Sequence, residues 1–380
     1  MIGTTPSPAG FRRGTLCLPR LQEYEWKCTI RHIKGLTFRV CQFALTLLVI
    51  HVISARVESF GMDLAKHSES RGLAKPKGPL TMHSFAPFHI QRLSVSYGLG
   101  DVLTDRHPNS LLFTATIANV WARDPHYFLD YEQSENTLLF VHNLSDQWNV
   151  GVGFSSRRFG GGILDGFSQN FHDYFGFDQS GRLEVPRYAF HFQVFDESGD
   201  LSYQLENSGA LNNEQISLFA SHKLSVLRSW GLQGKLFGGL SLGIKNHNQI
   251  EMYEHDLDFA MGINLSRCWG LRVISYHQVS LVYGSAPSNT LVQLRDFSFG
   301  ALHAIELQIT ERTSLILNYL WSSGHVRNLG ELSNASHEFN LGLKVMIKPD
   351  MLLELALIEN MITYDNSPDF GLHMALRYWW

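Results

Sequence analysis

The sequence predicts an all-β fold, an antiparallel barrel that crosses a membrane with its strands. Three observations lead there. Short segments alternate apolar and polar residues from Ser110 to Trp380, and the connections between them alternate short and long. The last ten residues, GLHMALRYWW, put Leu372, Met374, Leu376, Tyr378 and Trp380 on one strand face. Such a segment offers one face to lipid and the other to water. Composition agrees: charged residues are 17% of the chain and aromatics 12%, whereas a soluble domain carries about 25% charge. No run of about 20 apolar residues follows Ala55, which excludes helical spans there, and alternation accounts for a mean hydropathy of -0.09.

Residues 1–59 read as an N-terminal extension and a signal peptide. The apolar stretch Val40 to Ile53 is preceded by Arg31, Lys34 and Arg39 and followed by SARVES. It is short for a bilayer span, and a basic flank with a small-residue exit suits export with cleavage after Ala55 or Ser59. An over-extended translation start accounts for the first 30 or so residues. Cys17, Cys28 and Cys41 precede the cleavage site, so Cys268 alone remains in the mature chain and no intramolecular disulfide forms. Residues 60–109, containing GLAKPKGP, form a periplasmic or lumenal segment whose clearest strand-like stretch is Ile90 to Tyr97. A net charge of -4 without clustered Lys and Arg argues against a nucleic-acid partner.

Residues 110–380 form the barrel. Trp148, Val150, Val152 and Phe154 face one way against Asn149, Gly151, Gly153 and Ser155; Phe339, Leu341, Leu343, Val345 and Ile347 do so against Asn340, Gly342, Lys344 and Met346. The same alternation runs from Tyr253 and His255 to Leu265. Short turns at Ser145, Glu197, Arg228, Arg267, Glu311 and Pro349 separate longer links at 122–133, 158–186, 207–211, 243–250, 284–291, 324–335 and 361–369. Short turns at one end and long loops at the other are the barrel pattern, and they give an even count of fourteen strands. Twelve is the alternative if the hairpin Tyr188 to Glu206 stands above the membrane. Trp148, Trp230, Trp269, Trp321, Tyr319, Tyr378 and Trp380 fall near strand ends, where amphipathic rings form interfacial girdles.

The longest link, FGGGILDGFSQNFHDYFGFDQSGRLEVP, has helical rather than strand periodicity. Ile163, Leu164, Phe167, Phe171, Tyr174 and Phe175 share one face, while Asp165, Gln169 and His172 line the other. Gly176 suits the helix end. Ser168 and His172 lie four apart, so a hydroxyl and an imidazole approach each other, although no G-x-S-x-G element accompanies them. Asp165 and His172 are two turns, about 10 Å, apart, too far to share one ion with Asp173. No metal or cofactor is expected. Lys235, Asp256, Asp258, Asn264, Arg272, Lys344, Glu354 and Arg377 oppose lipid-facing rows and are lumen candidates.

Two resemblances follow from these residues. The closing strand, with Leu372, Met374, Leu376, Tyr378 and Trp380, resembles the insertion signal of bacterial outer-membrane barrels, with Trp in place of the commoner Phe. Gly161, Gly162, Leu164, Asp165, His172, Asp173, Phe175, Gly176, Arg182, Pro186 and Arg187, with Glu359, Asn360, Pro368, Asp369 and Phe370, resemble a proteobacterial outer-membrane barrel family, domain of unknown function family 3187. The likeness covers roughly Leu111 to Trp380. The family's Asn-Pro and Gly-Leu-Pro entry and a middle Gly-Asp are absent or degraded, as at Gly98 to Asp101. The resemblance implies a Gram-negative outer-membrane location, with membrane lipids and the barrel insertion machinery as partners. It implies no chemistry.

The leading functional expectation is a porin-like channel or transporter for small solutes. In it the loop helix folds inward as a constriction, with Asp165, Gln169, His172, Asp173 and Arg182 toward the permeant. The alternative is a non-transporting interaction or structural barrel, its helix lying outward with phenylalanines in the interface. A lipid hydrolase using Ser168 and His172 is a remote third, since nucleophile and base pairs of this kind work on the walls of outer-membrane phospholipases.

Overall fold

The structure, a computed structural model, describes residues 76–89, 107–176, 181–196, 198–205, 213–246, 257–284, 293–360 and 365–380. The expected signal peptide, Cys17, Cys28, Cys41, the Ile90 to Tyr97 strand, Tyr253, His255 and Asp256 lie outside the described residues.

Period-two alternation becomes strand throughout the barrel region. In chain order the elements are β1 (Asn109–Asp124), β2 (Tyr127–Asn143), β3 (Trp148–Gly160), the helix α1 (Asp165–Phe175), β4 (His191–Phe195), β5 (Leu201–Leu205), β6 (Asn213–Lys223) and β7 (Gln233–Asn246). They continue as β8 (Leu257–Cys268), β9 (Val273–Gly284), β10 (Phe297–Gln308), β11 (Thr313–Ser322), β12 (Ser336–Lys348), β13 (Met351–Asn360) and β14 (Phe370–Trp379). All but β4 and β5 pair antiparallel with their neighbours around a ring, closed where β1 pairs both β2 and β14. The seam is sealed at its base by two hydrogen bonds of 3.2 Å exchanged between Asn109 and Trp380.

The ring therefore has twelve strands, and the expectation of fourteen is corrected to its alternative. β4 pairs only with Tyr127–Asp130, beyond the stretch Glu132–Asn143 where β2 meets β3, and β5 pairs with β4. At five residues each, β4 and β5 are too short to cross a membrane, which takes about nine to eleven. The expected link at 122–133 is likewise strand: β1 and β2, of 16 and 17 residues, run past the ring and turn at Pro125 and His126.

Parity fixes the faces. On β1, Leu111 and Phe113 are exposed to the outside while Leu112, Thr114 and Thr116 are buried within. The bulk of the apolar core is inside the barrel, where the segment Pro76–His89 enters. Its Leu80, Met82, Phe85 and Phe88 pack with Tyr127, Tyr131, Ile316, Ala356 and Ile358 from the wall.

Candidate functional site

The segment 76–89 forms no strand, so its backbone groups need partners from side chains. Inward-facing carboxylates supply them. Glu306 accepts from the backbone N–H of Lys77 at 3.0 and 3.1 Å and of Gly78 at 3.2 Å, from the Tyr276 hydroxyl at 2.6 Å and from Ser314 at 2.7 Å. Glu354 accepts from the Thr81 N–H at 2.6 Å and pairs with Lys344 at 3.0 Å and His373 at 3.1 Å. Lys344 in turn donates to the carbonyls of Lys77 and Pro79 at 3.1 and 2.6 Å. Farther along the segment, Glu135 pairs with Arg157 and with His83, and Glu338 accepts from Ser84 and from the Phe85 N–H. Gln133 donates to the Phe85 carbonyl.

Beneath this segment the wall holds polar groups it leaves unsatisfied. Asn318 and Asn340 are register partners on β11 and β12, both fully buried, and among the described residues neither amide oxygen nor nitrogen of either has a hydrogen-bond partner. Buried amides without partners cost about 1–3 kcal/mol each, so these positions suit a lumen that admits water.

Of the expected lumen residues, Lys344 and Glu354 grip the segment, and Lys235, Asp258, Asn264 and Arg377 take inward positions, Lys235 opposite Asn264. Arg272 is a correction. It lies in the turn between β8 and β9 and is exposed, because the last inward position before that turn is already passed. Glu135, Glu306, Glu338 and Arg157 were missed, although each is a charge on the inward parity of its strand, Glu338 sharing β12 with Lys344.

The second cluster is on the outside of the wall. Asn119, Glu359 and Phe370 all occupy the outward parity of β1, β13 and β14, level with one another in the register. Against them lies α1, which begins at Asp165 and ends on Gly176 at φ 72°, a left-handed cap that suits glycine. Its polar residues face the wall and are buried: Asp165, Ser168, Gln169 and His172. Arg182 joins both ends of the cluster, pairing with Asp165 at 2.6 Å and with Asp369. Asp165 also accepts from Asn119 and from the Tyr188 N–H, each at 2.6 Å, while Glu132 accepts from the Leu164 N–H at 2.8 Å. Gln169 accepts from Arg187 at 2.6 Å, and Phe167 and Phe171 meet Phe370 with ring centroids 5.0 and 5.3 Å apart. A Cβ at Gly161 would fall 2.6 Å from the Tyr188 carbonyl, so only glycine lets the loop enter this close.

His172 Nε2 meets Glu359 at 3.3 Å and Asp369 at 3.9 Å. Burial opposes its charge, but the Glu359 hydrogen bond and the Asp369 carboxylate outweigh that, and its pKa is raised above the ordinary histidine value. Ile163 and Tyr174 are exposed at 73% and 84%, and Phe167, although it meets Phe370, stays 53% exposed.

The expectation that Asp165, Gln169, His172 and Arg182 constrict the lumen is thereby corrected: they bind the outer wall, while Asp173 on the same helix is exposed. The physical reason is the acceptor and donor set waiting at Asn119, Glu132, Glu359 and Asp369, none of it on the lumenal face. Nor does the cluster present a nucleophile. Ser168 is wholly buried and its hydroxyl donates to Asp369 at 3.1 Å.

No curated protein matches the chain. Among solved structures, an outer-membrane channel from Pseudomonas putida F1 aligns at 11% identity and a TM-score of 0.44, covering 72% of this chain and 94% of that one. The NanC porin aligns at 7% identity and 0.41, covering 70% and 98%. The KdgM porin in complex with disordered oligogalacturonate aligns at 6% identity and 0.39, covering 71% and 99%. The family model described as "Protein of unknown function (DUF3187)" matches residues 61–380. The loop and closing-strand motifs that meet through Arg182, His172 and Phe370 are thus parts of one matched region, and this β-barrel belongs to the DUF3187 family.

Proposed function

We propose that the protein is an outer-membrane channel for small solutes whose lumen is closed by its own segment 76–89. The buried Asn318–Asn340 pair carries this reading. A core meant to stay dry satisfies its polar groups or omits them, whereas the four amide atoms of this pair find no partner among the described residues. The carboxylates at Glu135, Glu306, Glu338 and Glu354 support it further, because the same groups that hold the segment would line a hydrated path once it leaves.

Planar-bilayer conductance tests the proposal. Full-length protein is expected to show a small conductance, and deletion of residues 76–89 a much larger one. Ser84 and Ser336 have hydroxyls 3.5 Å apart, so Ser84→Cys with Ser336→Cys should lock the segment in place when oxidised and release it when reduced. Equal, negligible conductance in the reduced, oxidised and deleted proteins would sink the channel reading.

One observation favours a surface role for α1 beside transport: its exposed Ile163, Phe167 and Tyr174 suit the membrane interface. In liposomes, quenching of a fluorophore at position 174 by brominated lipid should be strong; quenching only by aqueous iodide would remove this second reading.

A further inference from the structure

We propose that a furrow on the outward wall, ending at Ser134 and Asn136 with Arg158 on the strand beyond them, is a binding site for a membrane lipid with an anionic phosphate headgroup. The furrow has a volume of about 680 Å³ and runs across six strands from β11 to β2. Alongside Leu341, Leu357, Leu372, Ile117 and Ser134 of the adjoining row, its lining follows one register row of outward residues: Leu315, Leu343, Leu355, Met374, Ala115 and Asn136, each opposite the next. Ala115 is the small member of the row, with larger side chains on either side, and there the wall is hollow. Five strand spacings of about 4.8 Å make the track roughly 24 Å long, enough for an extended acyl chain.

The track changes character at its β2 end. Asn136 is opposite Ser156, and in the adjoining row, which passes through Leu357 and Leu372, Ser134 is opposite Arg158. These four polar side chains form a block two residues by two on β2 and β3, at a level where β13, β14 and β1 still present leucine and isoleucine. Arg158 is exposed, and neither it nor Ser134, Asn136 or Ser156 has a hydrogen bond or ion pair with another described side chain. Glu214, opposite Ser156 on β6, stands on the far side from the furrow.

A cation on the lipid face costs about 2–4 kcal/mol at mid-membrane and little near the interface. An exposed arginine that has no ion pair among the described residues and lies beside short hydroxyl and amide donors is therefore placed for an anion in the headgroup region. Guanidinium binds phosphate through two parallel hydrogen bonds, and Ser134, Asn136 and Ser156 add donors to the remaining oxygens. Strands tilt by roughly 45° in such barrels, so a track at right angles to them descends from headgroup level toward the mid-plane. One lipid satisfies both ends, with its phosphate at Arg158 and a chain laid over Ala115.

The test uses the full chain reconstituted in phosphatidylcholine bilayers with trace spin-labelled phosphatidic acid or spin-labelled diacylglycerol, which differ by the phosphate. The motionally restricted fraction gives relative association. Wild type should prefer phosphatidic acid by about tenfold, equivalent to roughly 1.4 kcal/mol. Arg158→Gln should bring the two lipids to parity by weakening phosphatidic acid alone, and Ala115→Trp, which fills the hollow, should weaken both. Equal association of the two lipids with wild type overturns the proposal without any variant. So does a preference that survives Arg158→Gln, or restricted fractions that Ala115→Trp leaves unchanged.

Discussion

Two non-strand pieces are fastened to this barrel, segment 76–89 on the inside and helix α1 on the outside, and they are fastened in opposite ways. The inner piece buries apolar side chains, Leu80, Met82, Phe85 and Phe88, and is held mainly through its backbone, whose N–H groups donate to wall carboxylates. The outer piece buries polar side chains, Asp165, Ser168, Gln169 and His172, and leaves Ile163, Phe167 and Tyr174 exposed. The difference follows the solvent on the far side of each. The helix turns toward the wall the polar groups for which Asn119, Glu359 and Asp369 offer partners and leaves Asp173 exposed, whereas an irregular segment in a lumen must first satisfy its backbone.

The contrast is broken hardest at Arg182. Arg182→Met would leave Asp165 and Asp369 buried without their shared cation, and loss of about 3–5 kcal/mol is expected. Urea unfolding followed by heat-modifiable gel mobility measures it; a change below 1 kcal/mol would mean that the outer clamp does not carry the helix. Next in size is Glu354→Gln, which weakens the grip on Thr81 and Lys344 by about 2 kcal/mol. Its signature should be faster trypsin cleavage after Lys77 with the helix undisturbed. If both pieces loosen together, they are one unit and the comparison fails.

Ser168→Ala should cost about 1.5 kcal/mol, the value of a hydrogen bond to a charged acceptor, and should alter no lipid turnover. Turnover lost on that substitution alone would revive a hydrolase. The smallest effect is pH dependence. Because the folded His172 pKa is raised, its pairing with Glu359 and Asp369 contributes fully below the ordinary value of 6.5 and fades as pH rises through the raised value. A spin label at position 173 should therefore gain mobility as the medium becomes alkaline, and His172→Gln should flatten that response.

Much of this was legible beforehand. The outward rows at Trp148 to Phe154 and Phe339 to Ile347 are where alternation put them, because strand geometry repeats every two residues whatever surrounds it. The two faces of α1 were also separable from spacing alone. Which face meets the wall was not, because that depends on Asn119 and Glu359, 46 and 187 positions from their partners Asp165 and His172. Nor did any local signal distinguish β4 and β5 from crossing strands until β2 was seen to extend past the ring to receive them.

By itself, then, the sequence determined an antiparallel membrane barrel, an even strand count, a closing strand at Leu372 to Trp380 and one amphipathic helix. Each depends on periodicity within a few residues of chain. Tertiary structure alone decided on twelve strands, on a lumen occupied by segment 76–89 and on a helix clamped to the outer wall. Those depend on where carboxylates far apart in sequence find their donors, and a buried charge takes whichever partner the closed ring brings within reach.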